Sequence, residues 1–239
     1  MKTASAYRSI VVLTGAGISA ESGLATFRDS NGLWNNHRLE DVATPEAFER
    51  DPKLVWSFYS ARRLNALSVS PNAAHHSLAA FSRDSHDRGV EFTLVTQNVD
   101  GLHETAHRLA GAAMPLTMHG RVRESRCTRC HKIYPDENIY GVGELPKSGC
   151  CQTMLRPHIV WFGEMPLFIP EIERRLEACD LFVTIGTSGN VYPAAGFLML
   201  AKAAGAKTVC LNKERLPQDR YVDQHLEGPA TSLVPEFFR

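Results

Sequence analysis

No stretch of the 239-residue chain approaches the roughly 20 consecutive apolar residues that a helix needs to cross a bilayer. The opening Met1-Lys2-Thr3-Ala4-Ser5-Ala6-Tyr7 also lacks the apolar segment of a signal peptide. Neither sign of charge dominates: 26 Lys and Arg balance 26 Asp and Glu, so there is no global basic field to attract nucleic acid and no acidic tail. Six cysteines are too few for a disulfide scaffold in a chain of this length, and 44% hydrophobic with 22% charged residues is not a disordered composition. What remains is a cytoplasmic globular chain, long enough to bury one large core or a core with a small insert.

The most informative run is Thr14-Gly15-Ala16-Gly17-Ile18-Ser19-Ala20, directly after the apolar strand candidate Ile10-Val11-Val12-Leu13. A strand that feeds a glycine turn opening a helix is how a parallel sheet holds a dinucleotide pyrophosphate, because Gly15 and Gly17 let backbone N–H groups approach phosphate oxygens. Taken alone, Gly15-x-Gly17-x-x-Ala20 also describes an ordinary strand-to-helix turn. The polar run Thr26-Phe27-Arg28-Asp29-Ser30-Asn31-Gly32-Leu33-Trp34 that follows suits a lid over a cofactor.

Strand-like runs recur at Phe92 to Thr96, His158 to Phe162, Leu181 to Ile185 and Lys207 to Leu211, several apolar throughout, as in strands covered on both faces. Helical patterns lie between, at about 52–68, 72–83, 102–110, 169–178 and 194–204. Asp51 is placed to cap the first of these, with Pro52 at its first position. The alternation predicts an α/β fold with a doubly wound parallel sheet from about 1–30, 76–120 and 157–239. Two stretches break the pattern, 31–75 (helical) and 121–156, and they predict a small module beside the sheet.

The second stretch carries Cys127-Thr128-Arg129-Cys130 and, after nineteen residues, Cys150-Cys151. In a reducing compartment this spacing points to a structural zinc ribbon, since four thiolates satisfy tetrahedral zinc and leave no open position. Cys127, Cys130 and Cys151 are the firm ligands; Cys150 or His131 supplies the fourth, unless the ribbon is degenerate and metal-free. Cys179 and Cys210 read as core thiols.

Three further sites fall at strand ends. Gln97-Asn98-Val99-Asp100 follows the 92–96 strand, Gly186-Thr187-Ser188 follows 181–185, and Asn212 closes 207–211. Small hydroxyl and amide groups there suit the phosphates and ribose of a nucleotide. His119 lies where sheet and cysteine insert meet.

These motifs together resemble the sirtuins, the NAD-dependent protein-lysine deacylases. The resemblance runs from Gly15-Ala16-Gly17 through Phe27-Arg28, Thr96-Gln97-Asn98-Val99-Asp100, His119-Gly120, the cysteines and Val160-Trp161-Phe162-Gly163-Glu164 to Gly228-Pro229-Ala230. It implies a Rossmann-type sheet with a small helical and zinc-ribbon module, NAD as co-substrate and one structural zinc. It also implies a reaction in which the acyl oxygen of a substrate lysine attacks the ribose carbon bearing nicotinamide. His119 is then the general base, and the products are free lysine, nicotinamide and O-acyl-ADP-ribose. By the same resemblance His119 and Asn98 are catalytic. Gly15, Ala16, Gly17, Ser19, Phe27, Arg28, Trp34, Gln97, Asn98, Val99, Asp100, Gly186, Thr187, Ser188, Asn212 and Ala230 hold NAD. Val160 to Glu164 and Val191 border an acyl-lysine peptide bound as an added strand. Ala25-Thr26 departs from the Pro-Asp found before Phe-Arg in many members.

On the 52–68 helix an apolar stripe of Leu54, Phe58, Ala61 and Leu64 faces a core, while Tyr59 and Arg62 stand side by side at i and i+3. Tyr-x-x-Arg is similar to the subgroup that removes succinyl and other acidic acyl groups, and Ala20 widens the tunnel. Without that likeness the pair reads as an Arg stacked on a surface Tyr. Two rival classes remain. A classical NAD dehydrogenase would use Glu40 or Asp41 for the adenosine ribose. A non-enzymatic binding module would use Arg121, Arg123, Arg126, Arg129 and Lys132, read here as a solvated face.

Overall fold

The computed structural model describes residues 3–26, 33–34 and 37–239, with side chains for 3–26 and 37–239. Six parallel strands form the main sheet: β1 (Ser9–Thr14), β4 (Glu91–Thr96), β5 (Leu116–Thr117), β9 (Leu181–Ile185), β10 (Lys207–Asn212) and β11 (Gln224–Glu227). Their order is β11-β10-β9-β1-β4-β5. The chain winds outward from β1 through β4 and β5, then restarts on the other side with β9, so the topological switch lies between β1 and β9. The ends of these two strands open the crevice where ligands of such sheets bind.

Alternation along β1 shows why the sheet is covered twice. Ile10 and Val12 pack into one cluster with Leu78, Val183, Val234 and Phe237, while Val11 and Leu13 pack into another with Ile172, Phe182, Phe197 and Leu198. Helices α4 (Ala73–Asp87) and α8 (Ala230–Phe237) therefore lie on one face, and α6 (Ile169–Ala178) and α7 (Ala194–Ala203) on the other. Helix α5 (Leu102–Ala110) packs beside α4. Cys179 and Cys210 are buried in the second cluster.

The rest of the chain has its own core. Helices α1 (Leu39–Val42), α2 (Pro45–Arg50) and α3 (Pro52–Leu67) pack against a three-stranded antiparallel sheet of β6 (Gly120–Cys127), β7 (Ile133–Pro135) and β8 (Leu155–Ile159), ordered β7-β6-β8. A short pair, β2 (Leu33–Trp34) and β3 (His37–Arg38), precedes them. Asp51 Oδ1 accepts from the Leu54 N–H at 3.0 Å and Pro52 opens α3, as the sequence predicts. Among the described residues, no helix is long and apolar enough to cross a membrane.

Three expectations change. The run His158 to Phe162 is not a strand of the parallel sheet: β8 pairs antiparallel with β6, and the chain leaves it at Trp161, whose carbonyl accepts from Glu164 N–H at 3.0 Å. A short apolar run carries no record of which sheet it joins. The glycine turn does not open an α-helix; two 3₁₀ turns, Ala16–Ile18 and Ala20–Ser22, follow it. The buried face of α3 is Val55, Trp56, Phe58, Tyr59, Ser60, Arg63 and Ala66, whereas Ala61 is exposed and Leu64 is 54% exposed. Arg63 replaces the expected leucine because carbonyls and a carboxylate meet it inside.

Candidate active site

At the switch point the glycine loop is held against the end of β9. Gly15 N–H donates to Ile185 O at 3.0 Å and Gly17 N–H to Gly186 O at 2.8 Å. A Cβ on Gly17 would stand 2.7 Å from Gly186 Cα, so any side chain there would force the two loops apart. Gly186 itself has φ of 60°, the left-handed region. This close approach leaves a cavity of about 610 Å³ between the sheet and the small module.

Most of the expected site residues line that one cavity: Gly15, Ala16, Gly17, Ser19, the run Gln97 to Asp100, His119, Gly186 to Ser188, Asn212 and Ala230 on the sheet side. Tyr59, Arg62, Val160 to Glu164 and Val191 line it too, as does Ala20. Phe27 and Arg28 lie outside the described residues. Trp34 is described only by its backbone, paired with His37 in β2–β3.

The polar groups form a connected set. Asn98 Nδ2 donates to Gly15 O at 3.2 Å and to Ser19 Oγ at 3.1 Å, and Ser19 Oγ–H donates to Asp100 Oδ2 at 2.8 Å. Asp100 Oδ1 also accepts the Leu102 N–H at 2.9 Å. Burial raises the Asp100 pKa, and these two donors oppose the rise. Both amide hydrogens of Asn98 are thus committed within the protein, so what Asn98 offers a ligand is its carbonyl oxygen. Gln97 Nε2 donates to Thr187 Oγ1 at 3.0 Å and Asn212 Nδ2 to Thr187 O at 2.9 Å, tying three strand ends together.

His119 Nδ1 donates to Gln97 O at 3.1 Å, which fixes the neutral tautomer and leaves Nε2 as a proton acceptor. Burial pulls its pKa below the ordinary value, with the carbonyl pulling the other way. Sequence reasoning missed the group behind this site. His75, His103 and His107 are buried with rings 4.7 and 6.4 Å apart, and Thr14 Oγ1 lies 3.0 Å from His103 Nε2. The i, i+4 spacing of His103 and His107 was the available signal. Burial lowers all three pKa values, His75 to about 3.

On the module side, Tyr59 is 1% exposed and its oxygen accepts the Trp161 Nε1–H at 3.0 Å. Burial pushes its phenol up to about 12 and draws the Arg62 guanidinium down to about 10, so at neutral pH the first keeps its hydrogen and the second its charge. Glu164 is engaged by Arg126 at 2.9 Å and by Arg156 at 2.7 and 2.9 Å. The basic run of the cysteine segment is only in part a solvated face: Arg129 and Lys132 are exposed, but Arg121 pairs with Glu104 and Glu124, Arg123 with Glu137, and Arg126 with Glu164. Glu40 and Asp41 sit on α1, where Asp41 pairs with Arg50 at 2.9 Å, away from the end of any strand in the parallel sheet.

Cys127, Cys130, Cys150 and Cys151 bring their sulfurs within 4.8 Å of one another, close to the ~3.8 Å edges of a tetrahedral zinc–thiolate site. His131 is not in this set, so Cys150 completes it. Cys127 Sγ lies 3.4 Å from Ser148 Oγ and 3.2 Å from Thr153 Oγ1, and these hydroxyls draw its thiol down to about 5, the thiolate a metal needs. Four sulfurs leave zinc no open position, so the metal that fits here is structural.

Comparison with known proteins agrees with this geometry. The Sir2 family model matches residues 15–193. An NAD-dependent protein deacylase of Leishmania major is 52% identical over 96% of this chain and 94% of its own length. The crystal structure of a Sir2 homologue–NAD complex superposes with a TM-score of 0.89 at 38% identity, over 99% of this chain and 90% of that one. A Sir2–p53 peptide–NAD complex does so with 0.81 at 28% identity, over 96% and 92%. With the family model matched over most of its length and a relative about half identical to it nearly end to end, this chain belongs to the Sir2 family.

Proposed function

We propose that the chain is an NAD-dependent protein-lysine deacylase that favours negatively charged acyl groups such as succinyl, also removes acetyl, and releases nicotinamide, O-acyl-ADP-ribose and free lysine. The observation that carries the acyl preference is the buried pair Tyr59 and Arg62 on one cavity wall, one phenolic donor and one cation. A carboxylate entering there gains charge-assisted hydrogen bonds, and the dry surroundings raise their worth. The relative and the peptide complex described above support the deacylase reading.

When bound, NAD supplies an electrophilic ribose carbon with nicotinamide as leaving group. The chain's own residues do the rest. Gly15 to Ser19, Gly186 to Ser188, Asn212 and Ala230 hold the phosphates and adenosine side; Gln97, Asp100 and the Asn98 carbonyl orient the nicotinamide ribose. His119 Nε2 takes a ribose hydroxyl proton, and its Nδ1–H bond to Gln97 keeps the ring in place for that. Val160 to Glu164 and Val191 flank the peptide, read mainly through backbone as an added strand.

The test is NAD-dependent nicotinamide release with matched succinyl-lysine and acetyl-lysine peptides. Wild type turns over succinyl faster, Tyr59→Phe with Arg62→Met loses that preference by about tenfold to hundredfold, and His119→Ala abolishes both reactions. Equal handling of the two peptides by wild type, unchanged in the pair variant, would make this a general deacetylase; no nicotinamide from either would end the deacylase reading.

A further inference from the structure

The partner of Tyr59 has a role of its own. An indole N–H only donates, so in the 3.0 Å contact between Trp161 Nε1 and Tyr59 the phenol oxygen must accept. Among the described residues no acceptor takes the phenolic hydrogen in turn. Tyr59 lines the cavity beside Arg62, so the hydrogen that the indole leaves unspent belongs to whatever enters there. Accepting one hydrogen bond also polarises a hydroxyl and makes it a better donor.

The indole is held from behind with unusual thoroughness. Arg156 Cζ lies 3.3 Å from the Trp161 ring centroid, and Phe48 flanks the ring at 5.3 Å. Arg156 is itself fixed by Glu164 at 2.7 and 2.9 Å and by Ile159 O at 2.9 Å, while Trp161 N–H donates to Glu164 Oε2 at 2.9 Å. One carboxylate thereby holds both the Trp161 backbone and the guanidinium stacked on its ring. Trp161 is 2% exposed, and these contacts hold its N–H toward Tyr59.

We propose that Trp161 is a specificity-determining positioning residue: its indole N–H occupies the acceptor side of the Tyr59 oxygen and so commits the phenolic hydrogen to the carboxylate of an acidic acyl chain. The proposal rests on the acidic-acyl reading of Tyr59 and Arg62. Acetyl has no carboxylate to receive that hydrogen, so the effect belongs to the ratio between the two substrates. A packing role would lower both rates together.

Trp161→Phe, Tyr59→Phe and the double variant are compared by kcat/KM with succinyl-lysine and acetyl-lysine peptides. Trp161→Phe lowers the succinyl-to-acetyl ratio by about three- to tenfold, chiefly through the KM for succinyl. In the Tyr59→Phe background the same change lowers it no further, because the indole has nothing left to orient. An unchanged ratio, or effects that multiply in the double variant, overturns the proposal while the acidic-acyl reading stands. A wild type without succinyl preference overturns both. If the substitution unfolds the protein, the indole N–H resonance of Trp161 in nitrogen-15-labelled wild type decides. Both peptides lie along residues 160–164 and move it, but succinyl-lysine peptide moves it further; equal movement with both refutes the coupling.

Discussion

One ring nitrogen of His119 is spent on a backbone carbonyl, and that decides what the other can do. With Nδ1–H bound to Gln97 O, only the neutral ring offers Nε2 as a base, and burial favours that neutral form. With His119 as the proposed base, activity belongs to the species present above a pKa lower than the ordinary 6.5. As pH falls, the acid limb of kcat/KM for the succinyl peptide has its midpoint below 6.5. A profile from roughly pH 5 to 9 checks this, and an acid limb at or above the ordinary histidine value would assign the limb to a different group. The position of His119 at the sheet–module junction was readable in the sequence, but its tautomer was not, because Gln97 stands 22 residues earlier and only the fold brings its carbonyl to the ring. Asp100 shows the same limit: the motif marks it for a ligand, yet both its oxygens accept from Ser19 and Leu102.

Helix α3 presents Tyr59 and Arg62 to the cavity and is anchored on the neighbouring Arg63. That guanidinium is 0% exposed and donates to Val122 O at 2.8 Å, to Asn138 O and to Ser125 Oγ, with Asp136 Oδ2 at 3.3 Å. Asp136 also takes hydrogen bonds from Ser125 and Tyr140, so one carboxylate links α3 to β6 and the segment after β7. Asp136→Ala leaves a buried cation without its counter-charge and costs about 3–5 kcal/mol in urea unfolding. A loss below about 1 kcal/mol would mean that the carbonyls alone satisfy Arg63. The length of α3 was legible from Asp51-Pro52 and its apolar content, and α5, α6 and α7 emerge where their periodicities place them. Its inward face was not legible, since a hydrophobic count favours Leu64 over Arg63 and cannot register a partner on Asp136. For the same reason β8 was assigned to the wrong sheet: its apolar run is genuine, but it pairs antiparallel with β6, with a register shift between Gly120 and Ser125 that no apolar count records.

At the scale of the whole molecule, the described residues form three separate apolar cores, two on the faces of the parallel sheet and one inside the small module. The third contains Cys127 together with Val55, Trp56, Tyr59, Val122, Ile159 and Trp161, with Cys151 packed against it, so the cysteine cluster and the wall that carries Tyr59 share a packing unit. The first two contain no member of the cysteine cluster. Removing zinc should therefore injure the module first and the sheet second. Each 1 kcal/mol lost lowers the melting temperature of a chain this size by about 2–4 °C, and a four-thiolate site supplies several kcal/mol of folding free energy. Chelator-treated protein is expected to melt roughly 10 °C lower. Its near-ultraviolet dichroism, to which Trp56 and Trp161 contribute from the module core, is expected to fade before the far-ultraviolet signal of the sheet and its helices. Deacylation is expected to fail with the first transition, because the wall beside Tyr59 and Arg62 loosens. Coincident transitions after chelation would make the cores one cooperative unit, and an unchanged melting temperature would remove zinc from the account of stability altogether.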